Sequence, residues 1–141
     1  MNVENTGHSV RMFKRISFLA TLSALTLTPH VAEAGQPYSE SLMDCAALMD
    51  MSNRMNSERA NHGNGLVLSR IAEALEKAAY NQSLDEGRDN PGAYLEQLKS
   101  DKVTHWDAKG VSFVFSDEFK DWMAYCRKFS AHLGIDFNDF R

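Results

Sequence analysis

An all-α fold is predicted: a small antiparallel helical bundle of about four helices with one disulfide, preceded by a cleavable signal peptide. Three observations predict it. Apolar residues recur at spacings of three and four in four separate segments. Strand composition is confined to one five-residue run, VSFVF, and a lone strand makes no sheet. Two cysteines stand 81 positions apart, both beyond the leader.

The leader comes first in the chain. Met12 to Arg15 is a short basic start, and Ile16 to Thr28 is an uncharged apolar run of thirteen residues. Ala32-Glu33-Ala34 then places small residues where a signal peptidase inspects the chain. A membrane span needs roughly twenty apolar residues, so the run is too short for one. Residues 1–34 are therefore read as signal peptide, with cleavage after Ala34 and a single helical domain over 35–141. The polar stretch before Met12 carries Glu4, unusual in such a leader, and Met12 is an alternative start.

Removing the three basic and two acidic residues of 1–34 from the chain's 15 and 19 leaves 12 against 17, a formal charge of −5. No basic cluster longer than Arg127-Lys128 remains. That balance argues against nucleic acid and anionic lipid as partners. Cleavage leaves 107 of the 141 residues, a modest core that a covalent staple would help. Cys45 and Cys126 are expected to pair, because an exported chain meets an oxidising compartment.

The first helix is expected from Glu40 to about Ala60, capped by Ser39 or Ser41 and ended by Asn61-His62-Gly63-Asn64-Gly65. The second runs from Leu66 to about Gln82, with Val67, Ile71, Ala74, Leu75 and Ala78 inward. Ser83 to Asn90 reads as loop. Asn90 before Pro91 marks a third helix, short, to about Asp101. Lys102 to Gly110 reads as irregular with Trp106 as an anchor. Val111 to Phe115 reads as an extended connector or helix lead-in. Ser116 caps the last helix, Asp117 to about Leu133, and Gly134 ends it. Phe137 and Phe140 are placed to fold back.

Little in the sequence carries chemistry. There is no G-x-S-x-G, no H-E-x-x-H, no C-x-x-C. Asp85, Asp89 and Glu96 loosely follow a calcium-loop spacing. However, Gly87 stands where a ligand belongs, Asn90 where the glycine belongs, and Pro91 falls inside. Asp117, Glu118 and Asp121 suit the positive end of a helix dipole. Four of the seven methionines lie in residues 41–55. On a helix Cys45, Leu48, Met49, Ser52 and Met55 share one face, Met51 sits at its edge and Met43 points elsewhere. Core packing explains this pattern, since the thioether fills gaps well. The competing reading is a copper(I) or silver site built from Met51, Met55 and His62.

No motif names a family. Acid-stress chaperones of the bacterial periplasm are similar in size, compartment and cysteine number, and in nothing more. The leading functional expectation is a periplasmic or secreted, non-enzymatic binding or accessory module. Its partner would be a periplasmic protein or small ligand, with no cofactor, no catalytic residue and no membrane anchor after cleavage. One alternative is periplasmic copper handling through the first helix. The other is an enzyme using an acidic pair or His105, whose mark would be a concave pocket holding His105 with a carboxylate.

Overall fold

Residues 42–49, LMDCAALM, carry one polar side chain in eight. A helix that is apolar on every side has to be surrounded. In the computed structural model, which describes residues 35–141, this stretch is the middle of α1 (Tyr38–Met55), and every residue from 41 to 49 is buried. The signal peptide read over 1–34 lies outside the described residues.

Three helices surround α1: α2 (Gly63–Asp85), α3 (Pro91–Asp107) and α4 (Asp117–His132). The bundle is antiparallel, with no strand among the described residues. The core joins Leu42, Leu48 and Met49 of α1 to Ile71 and Leu75 of α2, Leu95, Leu98 and Trp106 of α3, Phe113 of the link before α4 and Phe137 of the tail. Cys45 and Cys126 form the expected disulfide, with Cα atoms 5.5 Å apart, tying α1 to α4.

The helix limits differ from the sequence expectation at several points, each for a physical reason. α1 stops at Met55, and Ser57–Asn61 is a separate 3₁₀ turn. Neither Ser39 nor Ser41 caps α1 locally. Instead Glu86, at the end of α2, accepts from the Ser39 backbone N–H at 2.9 Å and from its hydroxyl. The glycines read as a helix stop open α2. Gly65 lies buried in its first turn, where a Cβ would stand 1.9 Å from the Arg59 carbonyl oxygen. The Asn53 amide fixes this junction by donating to the Gly65 carbonyl and the Ser69 hydroxyl, both at 2.9 Å.

The segment read as loop from Ser83 continues α2 to Asp85, because Ser83 is wholly buried and its hydroxyl donates to the Tyr80 carbonyl. The segment read as irregular from Lys102 continues α3 to Asp107. Docking of Trp106 into the core holds that extra turn. Val111–Phe115 is a 3₁₀ turn, so the helix lead-in is the reading that stands. Met43 also packs inside, at 2 % exposure, because α1 has no outer face over its middle turns.

Other local signals are met. The Asn90 side chain accepts from the Ala93 N–H, and the Ser116 hydroxyl accepts from the Phe119 N–H. Gly134 takes φ +80° after α4, and the tail turns back to bury Phe137.

Candidate functional site

The chemistry-bearing side chains gather where the start of α1, the end of α3 and one flank of α4 meet. Asp44 is the polar residue in the apolar stretch of α1, and burying a carboxylate is costly unless it is paired. It accepts from Lys102 Nζ at 2.9 Å, Trp106 Nε1 at 3.1 Å and Gln36 at 3.3 Å. Lys102 also donates to Glu40 at 3.0 Å. Burial pulls the Lys102 ammonium down, but hydrogen bonds and charge from Asp44 and Glu40 outweigh it and hold the pKa above its ordinary value. Lys102 is thus a fixed cation matched by two carboxylates.

A recess of about 420 Å³ opens beside this cluster, lined by Glu40, Asp44, Asp101, Lys102, His105, Trp106 and Trp122, with Leu98 below. His105 sits edge-on to Trp106, ring centres 4.8 Å apart. The pocket holding His105 with carboxylates therefore exists. Its acids are not equivalent: Asp44 and Glu40 are engaged by Lys102, while among the described residues Asp101 accepts only from Gln97.

Trp122 is shared with a second recess of about 560 Å³, lined by Glu118, Asp121 and Tyr125. On α4 these residues and Phe129 lie on one flank, because spacings of three, four and seven return to nearly the same angle. The aromatics form a ladder. Phe113 stacks on Trp106, Trp106 meets Trp122 edge-on at 5.2 Å, Trp122 meets Tyr125 at 5.6 Å, and Tyr125 stacks on Phe129 at 5.8 Å. Tyr38 closes it against Phe129 at 5.6 Å. The ladder starts in the core and ends in solvent: Trp106 is 1 % exposed and Tyr125 45 %.

The acids at the start of α4 differ in what holds them. Asp117 pairs with Lys120 at 2.8 Å and Glu118 with Lys109 at 2.6 Å, and Asp121 has no ion pair among the described residues.

The structure brings Cys45 and Cys126 together and spreads the other candidates. Met51 is 0 % exposed, and Met55 is partly buried against the same core. His62 is exposed past the 3₁₀ turn, in a recess with Asn56, Glu58, Arg59, Asn64 and Gly65 that neither methionine lines. Asp85 closes α2, while Glu96 lies inside α3. Among the described residues no three His, Cys, Asp or Glu side chains converge as a metal site.

Sequence reasoning missed the Asp44–Lys102–Trp106 cluster and the outward flank of α4. A signal for the first was present, since a lone aspartate in an apolar helix demands a partner. No known protein family, curated protein or solved structure matches the chain.

Proposed function

We propose that this protein is an exported, disulfide-stapled helical module that binds a partner through the aromatic flank of α4 and carries out no chemistry itself. The observation that carries the reading is the Trp122–Tyr125–Phe129 strip, packed on its inner edge and open to solvent on its outer one. Amphipathic aromatics in that position are enriched at interfaces because they offer large area at small entropic cost. Two findings favour binding over turnover. Lys102 is held as an ammonium, unsuited to act as a nucleophile, and Asp44 is fully engaged by its donors.

Export is supported by the leader pattern and by a disulfide suited to an oxidising compartment. Among the described residues no helix is long and apolar enough to cross a membrane. Intact mass of the processed protein should begin at Gly35, and a product retaining Ile16 to Thr28 would contradict export by cleavage.

A photocrosslinking amino acid at position 125, compared with one at exposed position 77 of α2, tests the binding face in the producing cell. A discrete adduct from 125 alone is expected. No adduct, or the same adducts from both positions, would overturn the reading.

A further inference from the structure

Resting on the binding face just described, we propose that its occupant is an arginine-bearing polypeptide segment, with a guanidinium stacked on Trp122 and Tyr125 between carboxylates on either side. Trp122 divides the two recesses. Glu118 and Asp121 stand in one, and Asp101 and Glu40 in the other. Asp121 and Asp101 have no ion pair among the described residues. The local cations are already matched, Lys102 by Glu40 and Asp44 and Lys109 by Glu118. The face is therefore aromatic and net negative, the combination that attracts a cation through both ring quadrupole and charge.

The molecule shows the same chemistry within itself. Arg88 lies over the Tyr94 ring at 4.3 Å, and Lys109 lies over Phe113 at 4.8 Å and Trp106 at 5.7 Å while pairing with Glu118. Among the described residues no cation lies over the exposed Tyr125 ring or the half-buried Trp122 and Phe129 rings, although Lys128 is on the same helix. An anionic partner would meet like charge. A purely apolar one would strip water from Asp121 and Asp101 without replacing it. Arginine fits better than lysine because its planar group stacks on a ring and forks onto a carboxylate together. Two adjoining open recesses suit successive side chains of an extended segment rather than one enclosed small molecule.

The test uses the disulfide-bonded chain and three acetylated, amidated octapeptides in which leucine alternates with arginine, glutamine or glutamate, titrated by tryptophan fluorescence and calorimetry. The arginine peptide should bind, with the other two weaker by about tenfold or more. Its affinity should fall by about tenfold in Glu118→Gln/Asp121→Asn and again in Tyr125→Ala, and should fall with added salt. Glu73→Gln, exposed on α2, should leave it unchanged. These side chains are exposed, and an unchanged melting temperature certifies the fold. No binding of the arginine peptide, equal binding of the glutamine peptide, or an affinity indifferent to Glu118→Gln/Asp121→Asn would each overturn the arginine assignment. The docking face would still be judged separately by the crosslink from position 125, which does not depend on the peptide chosen.

Discussion

α1 and α4 are both rich in large apolar side chains, yet they use them differently. Of the 18 residues of α1, twelve are buried; of the 16 in α4, only Cys126 and Ser130 are. α1 is the axis on which the other helices pack, and its leucines and every methionine but the half-buried Met55 are buried in the core. α4 meets that axis at Cys126, with Phe119, Trp122, Met123 and Phe129 half-buried against the same core and Tyr125 exposed. Apolar content alone therefore says nothing about where a helix sits or whether it is free to meet a partner. The distribution around the helix decides it.

Breaking the link between the two helices should have the largest effect. Cys45→Ala/Cys126→Ala should lower stability in urea unfolding by about 4 kcal/mol, the order expected for closing a loop of 81 residues. A loss below about 1 kcal/mol would mean that packing alone secures α4. Next comes truncation within each helix. Leu48→Ala should cost about 3 kcal/mol because it opens a cavity beside the disulfide, whereas Tyr125→Ala should cost less than about 1 kcal/mol. Equal costs would erase the distinction between axis and periphery.

A smaller effect, readable by its pH dependence, belongs to the ion cluster at the start of α1. Lys102→Met leaves Asp44 without its cation and should destabilise at neutral pH by about 2 kcal/mol, less than for a fully buried pair because water reaches the site. The Lys102 pKa is raised in the fold above the ordinary 10.5. Its contribution is therefore complete below 10.5 and fades as pH rises from there through the folded value. Wild type and variant should converge above that window, and a gap that widens with alkaline pH would refute the assignment. Smaller again is Glu86→Gln, about 1 kcal/mol by thermal melting, because it weakens the cap that α2 supplies to Ser39.

Much of the fold was legible in the sequence because its signals are local. The caps at Asn90 and Ser116, the stop at Gly134 and the returning phenylalanines depend on a few neighbouring residues. The cysteine pair was legible because the leader implied an oxidising compartment. The rest depended on distant partners. α3 runs six residues past its expected end because Trp106 docks on Asp44, 62 positions away. α2 overruns its expected end because Ser83 is buried and Glu86 reaches back to Ser39, 47 positions earlier. A single buried stripe would leave Met43 outside the core, whereas α1 is covered all round at that turn. The outward flank of α4 could not be read either, since its aromatics follow the same period whether or not another helix covers them.

The disulfide also sets what can happen to α4 between excursions. A helix with only two buried residues is a natural unit of local opening, and its amides should exchange faster than those of the axis. Cys126 sits near the middle of α4, so in the oxidised chain an opened α4 remains leashed to α1 at one point near its midpoint. The effective concentration of an opened helix at its own seat is thereby higher than the backbone connection alone would give it. Reduction cuts that leash while leaving α1, α2 and α3 their mutual packing. The bond thus keeps the aromatic flank beside α1 even when the packing around it loosens.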